Sequence, residues 1–207
     1  MFPTGAKIVT TLLLTLNIAF SSFSGPRVTS VLDGDTVVLG NKRKVRILGI
    51  DAPKVNLCGG KSAKQTLGKL VLNKQVYAQI LRKDMYKREL AALWQGQTLV
   101  AEKLLESGAV RADYTDIQNN ERLKKALNQA KRERRGLWSG QCQSASPPQP
   151  ACTIKGNIEE NTGNRFYHLP FCRHYDKVII DLDRGERWFC TEAEAIQAGF
   201  KKVKRCE

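Results

Sequence analysis

The architecture is read first from the stretch "RVTSVLDGDTVVLGNKRKVRILGI", residues 27–50. The stretch is dense in Val, Ile and Leu and is broken by turn signals at Asp33-Gly34-Asp35 and Gly40-Asn41-Lys42, so it predicts three short strands in a meander ending near Leu48. Next, "GGKSAKQTLGKLVLN" sets Ala63, Leu67, Leu70 and Val71 at helical spacing. "KQVYAQILRKD" and "RELAALWQG" then supply a further strand pair. Five strands with an inserted helix predict a small closed barrel. Two amphipathic helices follow. The first is in "TLVAEKLLESGA", with Leu99, Val100, Leu104 and Leu105 on one face and a stop at Gly108. The second is in "NNERLKKALNQAKRERRGLW", with Leu123, Ala126, Leu127 and Ala130 inward, a basic outer face and a stop at Gly136. Trp138 is expected to pack back on the barrel.

Residues 1–24 set Lys7 before the 13-residue apolar run "IVTTLLLTLNIAF" and the small residues "SSFSG", the layout of a secretory signal peptide. A spanning helix needs about 20 apolar residues, so no stable membrane span is expected. Residues 25–140 hold the barrel, and 141–151, rich in Pro and Ser, form a linker. Residues 152–207 form a small cysteine-containing module that needs staples to stand alone. Six cysteines (Cys58, Cys142, Cys152, Cys172, Cys190 and Cys206) in a chain with an export signal point to disulfides and to a secreted or periplasmic location.

The 207-residue chain has a net charge of +14, which points to a polyanionic partner: nucleic acid, anionic lipid or wall polymer. Its two histidines, His168 and His174, both lie in the tail, which excludes chemistry that needs a histidine base within the barrel.

In "LDGDTV" a tight turn lets a carboxylate emerge from a strand, and Asp51 ends the strand "KVRILGI". If the strand ends bring Asp35 and Asp51 together, two hard oxygen ligands share a site suited to Ca²⁺, completed by a carbonyl and waters. Arg46 lies on the strand leading to Asp51, and Arg88 sits in "DMYKRELA", on a later strand. Guanidinium groups beside such a cluster suit phosphodiester hydrolysis, because negative charge grows on the phosphorus oxygens as water attacks.

The order "VLDGDTV", "VRILGIDAP", a helix, "DMYKRELA", "LVAEKLLESGAVRADY" and a basic helix ending in "RRGLW" closely resembles the thermonuclease, or staphylococcal-nuclease-like, family over residues 27–138. The resemblance implies an α+β fold, an OB-type five-stranded barrel with helices, and a Ca²⁺-dependent, thermonuclease-like phosphodiesterase acting on DNA and/or RNA. It implies that Asp35 and Asp51 are the calcium carboxylates, with the Ala52 backbone carbonyl beside them and Asp33 just behind. Arg46 and Arg88 match the phosphate-clamping arginines, and Tyr86 and Tyr114 fall where family tyrosines contact the nucleotide. A monomer is expected.

The chain departs from the family at one position that matters. The family pattern after the second aspartate is Asp-x-Pro-Glu, the glutamate acting as general base or ordering the attacking water, and this chain has Lys54 there. An ammonium has no lone pair to accept a proton. Two readings follow: a slower nuclease in which Lys54 binds phosphate, or an OB-fold nucleic-acid-binding protein without turnover. The loop "VNLCGGKSAKQ" offers no carboxylate in replacement.

The tail segments "YHLPFC" and "FCTEAEAIQAGF" resemble a small module often appended to such nucleases. Thr191 and Glu194 form a capping-box pattern. Disulfides are the expected use of its four cysteines, with zinc as the alternative despite the lack of a C-x₂-C pair. If the nuclease domain closes its own pair, Cys58 joins Cys142.

Overall fold

The computed structural model describes residues 25–204 and 206, apart from 85–87, 119 and 161, so the expected signal peptide lies outside the described residues. The meander forms as expected: β1 (Val28–Val31), β2 (Thr36–Leu39) and β3 (Lys44–Ile47) pair antiparallel in sequence order. A two-residue strand β4 (Ile50–Asp51) then leads through a tight loop into helix α1 (Gly60–Val71). Strands β5 (Tyr77–Lys83) and β6 (Glu89–Gln95) pair antiparallel, and β6 lies parallel to β3, giving the order β1-β2-β3-β6-β5 with β7 (Thr98–Leu99) against β6. Residues 72–76 close the barrel back on β1: the Val28 amide donates to the Lys74 carbonyl at 2.9 Å and the Asn73 amide to the Val28 carbonyl at 2.9 Å.

Apolar alternation drives this arrangement. Val28, Val37, Leu39, Val45, Ile47, Ala91 and Leu93 are buried from the strands, and Ala63, Leu67 and Val71 come in from one stripe of α1. Helix α2 (Val100–Glu106) buries Val100, Ala101, Leu104 and Leu105 in the same core. Beyond the short strand β8 (Arg111–Ala112) and the single turn α3 (Tyr114–Ile117), helix α4 (Glu121–Arg132) packs on α2 through Leu123, Ala126 and Leu127. Its N-cap is Asn120, whose side chain accepts from the Leu123 amide at 3.2 Å.

Gly136 does not stop α4. The helix ends at Arg132, and Arg134 takes the left-handed conformation (φ 52°) while the Arg135 amide donates to the Ala130 carbonyl at 3.0 Å. Gly136 instead permits a close approach. A Cβ there would lie 2.4 Å from the Gly108 carbonyl oxygen, which accepts from the Leu137 amide at 2.9 Å. Trp138 rests half-buried against the barrel core.

A second sheet with the order β13-β10-β11-β14 is built from β10 (Ile154–Ile158), β11 (Arg165–His168), β13 (Arg187–Phe189) and β14 (Lys201–Lys202). It has its own core of Ile154, Tyr167, Phe189 and Phe200, capped by helix α5 (Glu192–Gln197). Thr191 caps α5 by accepting from the Glu194 amide at 3.2 Å, and the Glu194 carboxylate accepts in return from the Cys190 amide at 2.9 Å. Within the Pro- and Ser-rich segment, β9 (Gln143–Ser144) pairs with β12 (Ile180–Asp181) in a separate two-stranded sheet and ties the tail to the chain leaving the barrel.

All six cysteines are in disulfides: Cys58–Cys142, Cys152–Cys190 and Cys172–Cys206. The first is the pair expected for the barrel domain. The zinc alternative for the tail is corrected, because a disulfide sulfur has no thiolate to give a metal. Among the described residues no helix is long and apolar enough to cross a membrane.

Candidate functional site

The Asp33-Gly34-Asp35 turn is set by its own chemistry. The Asp33 carboxylate accepts from the Asp35 amide at 3.0 Å, which turns the chain between β1 and β2. Gly34 sits under α1 and the segment after β4: a Cβ would lie 2.5 Å from the Cβ of Ala63 and 2.8 Å from that of Ala52. The turn thus delivers Asp35 inward with its side chain 2% exposed. There its carboxylate accepts from the Thr36 hydroxyl at 2.7 Å and the Ala52 amide at 3.0 Å.

Arg46 reaches this carboxylate because Thr36 and Arg46 are register partners in the β2–β3 pair. Its guanidinium donates to both Asp35 oxygens at 2.7 and 2.8 Å, and to Asp51 Oδ1 at 2.7 Å. Both expected carboxylates therefore converge on a single side chain. Burial dominates the acidity of Asp35 and pushes it up to about 6, against the opposing pull of Arg46. Burial also works against the charge of Arg46, but Asp35 and Asp51 outweigh it and hold the guanidinium more firmly protonated than usual. Asp51 sits at the end of β4 with its side chain 65% exposed, open to a ligand from the cleft.

Arg88 does not lie within a strand: it sits in the loop just before β6, where its amide and Nε donate to Asp84 at 2.8 and 2.6 Å. Lys54 is exposed in the loop after β4, and its carbonyl accepts from the Leu57 amide at 2.8 Å. Tyr114 opens α3, half-buried, its hydroxyl accepting from Lys131 Nζ at 3.2 Å. Tyr86 lies outside the described residues.

These groups face one cleft of about 780 Å³, the size of a small-ligand site. Asp33, Asp35, Arg46, Asp51, Ala52, Lys54, Arg88 and Tyr114 all line it from the barrel. The far wall comes from the tail: Ile158, Glu159, Glu160 and Gly163 at the turn between β10 and β11, with Asp183 and Arg184. Oxygen donors prevail in the lining, in which no Cys or His stands among the described residues. Two converging carboxylates and a nearby carbonyl suit a hard cation such as Ca²⁺. Among the described residues no group of three or more His, Cys, Asp or Glu gathers to hold a metal, so waters and the Ala52 carbonyl would complete the shell.

A model of the family described as "Staphylococcal nuclease homologue" matches residues 44–140. A protein of Haemophilus influenzae named as an uncharacterized endonuclease is 32% identical over 141 residues, covering 64% of this chain and 79% of its own length. The chain belongs to the staphylococcal nuclease family. It is also similar to a thermonuclease of Staphylococcus hyicus, 29% identical over 163 residues, 66% of this chain and 96% of that protein. A probable staphylococcal-like nuclease of Oryza sativa is 34% identical over 112 residues, 54% of this chain but only 32% of its own length.

Asp35, Arg46, Asp51 and Arg88 share this cleft with Arg111, which sequence reasoning passed over. Arg111 stands on β8 and reaches the tail, donating through Nε and Nη2 to Asp183 at 2.6 and 3.0 Å and through Nη2 to Asp181 at 3.0 Å. Burial works against its charge, and the two aspartates outweigh it, raising it further above the ordinary arginine range. In a chain with 34 Lys and Arg, no spacing marks one arginine as the anchor of another module.

Proposed function

We propose that this chain is a secreted, Ca²⁺-dependent nuclease that hydrolyses phosphodiester bonds of DNA and/or RNA, and that Lys54 makes it slow. One observation carries this reading: a single guanidinium, Arg46, holds Asp35 and Asp51 together at the mouth of a cleft that Arg88 also lines. The three disulfides fit an oxidising compartment, and the net charge of +14 fits a polyanionic substrate.

Asp35, Asp51 and the Ala52 carbonyl would hold Ca²⁺, which when bound supplies positive charge beside the phosphorus and lowers the cost of deprotonating water. The remaining work falls to this chain's own side chains. Asp35 must be ionised to serve, and Thr36, Ala52 and Arg46 all donate to its carboxylate and favour that form. Arg46 and Arg88 meet the negative charge that grows on the phosphorus oxygens as water attacks. Tyr114 offers a ring face for a base. Lys54 binds phosphate as a point charge and accepts no proton, so water is deprotonated by solvent or by a phosphate oxygen. General-base help is worth about 10²- to 10⁴-fold, the loss expected here.

Lys54 also favours a second reading, an OB-fold nucleic-acid-binding protein whose arginines and aspartates contact substrate without turnover. Salt-sensitive binding is common to both. They separate on the fate of an end-labelled single-stranded oligonucleotide held with the protein in Ca²⁺: shortened products support the nuclease, and bound oligonucleotide recovered at full length supports the binder.

A further inference from the structure

Strands β4 and β8 run antiparallel, and Asp51 stands directly across from Arg111. Side chains so placed share a face with Cβ atoms about 4.5–5.5 Å apart, and opposite charges at such a pair ordinarily attract. Both residues line the cleft. Arg111 nevertheless pairs with the tail. Asp183 takes it bidentately with a side chain only 1% exposed, Asp181 takes a third contact, and the Trp138 ring lies 5.0 Å from the guanidinium carbon. The two aspartates are held in place by the Leu182 amide, which donates to the Cys142 carbonyl at 2.8 Å, and by the β9–β12 pair.

We infer that the tail serves the cleft by sequestering Arg111: Asp183 and Asp181 hold its guanidinium away from Asp51 and so keep that carboxylate available to a divalent cation. Asp51 already gives one oxygen to Arg46. A second guanidinium would take the remaining lone pairs in charge-assisted hydrogen bonds and compete directly with the cation. A part-buried arginine stripped of its partner pays a large desolvation cost, and the carboxylate across the strand pair is the nearest remedy its strand position offers. Asp181 and Asp183 are therefore positioning residues acting through Arg111. The inference rests on Asp51 being a cation ligand, as in the proposed function.

The test is calorimetric titration of the full chain with Ca²⁺ alone, in the wild type and in Asp51→Ala, Asp183→Asn, Arg111→Met and the double variant Arg111→Met/Asp183→Asn. Asp183→Asn is expected to weaken binding about tenfold, and the double variant to return to within about twofold of wild type, as coupled neighbours do. Should Asp183→Asn fail to fold, Asp181→Asn loosens one contact and carries the same comparison with a smaller loss. Unchanged affinity in Asp51→Ala would overturn the cation reading and this inference with it. Binding lost in Asp51→Ala but kept in Asp183→Asn would overturn this inference alone. A loss in Asp183→Asn that removing Arg111 does not repair would also overturn it, by showing that the aspartate acts on the fold and not through the arginine.

Discussion

Arg46 donates to Asp35 and to Asp51 from one guanidinium, at 2.7–2.8 Å, and Asp35 is nearly inaccessible while Asp51 is largely exposed. The arrangement joins a buried carboxylate, costly to ionise, to an open one that a ligand can reach, and the cost falls on Asp35.

That cost has a pH signature. Asp35 titrates at about 6 in the fold against an ordinary value of 3.8, so the native state holds a proton there that the unfolded chain has already released. The associated stability is complete below about pH 3.8 and is lost as pH rises through about 6. It amounts to about 3 kcal/mol at 1.36 kcal/mol per pH unit. Urea unfolding without divalent cations should show wild type losing more stability between pH 4.5 and pH 8 than Asp35→Asn does. Equal losses in the two proteins would refute the assignment.

Lys54→Glu restores a proton acceptor in the loop after β4, where the side chain is exposed and faces the cleft. Cleavage should speed up by about 10²-fold or more, the usual worth of a positioned base. Lys54→Met serves as the control. It removes the ammonium without adding a base, and a gain equal to that of glutamate would mean the lysine charge itself is inhibitory.

Gly34 is a contact point between the aspartate turn and α1. Gly34→Ala would press a methyl group to 2.5 Å from Ala63 and 2.8 Å from Ala52, distances that force backbone apart. We expect about 1–3 kcal/mol of lost stability in urea unfolding, together with weaker Ca²⁺ binding because Asp35 moves with the turn. Partial recovery of stability in Gly34→Ala/Ala63→Gly would locate the clash, and no recovery would place it elsewhere.

Much of this was legible in the residues. The meander, the inserted helix and the paired strands follow from alternation and turn chemistry that local sequence states outright. The convergence of Asp35, Arg46 and Asp51 was legible only through the order of several motifs, because contacts 5 and 11 residues apart depend on register. Two features were beyond local signals. Arg134, in place of Gly136, takes the left-handed turn after α4, since tertiary contact reserved the glycine for its approach to Gly108. Arg111 and Asp183 meet across 72 residues, a pairing that no periodicity encodes.

The Cys58–Cys142 bond closes 84 residues and fastens the loop after Lys54 to the chain leaving the barrel. By loop-closure entropy its removal should cost about 4.5 kcal/mol. At about 2–4 °C per kcal/mol for a chain of this size, Cys58→Ser/Cys142→Ser should melt about 10 °C lower. A melting temperature unchanged within error would mean the loop is held by packing alone.

If the Asp35–Arg46–Asp51 array runs a Ca²⁺-dependent cleavage, the initial rate of single-stranded DNA cleavage by wild type and Asp51→Ala, each in Ca²⁺ and in EDTA, reads it out. Measurable cleavage by wild type in Ca²⁺, none in EDTA, and a fall to background in Asp51→Ala are expected. Cleavage that persists in EDTA or in Asp51→Ala, or none by wild type in Ca²⁺, would contradict that role.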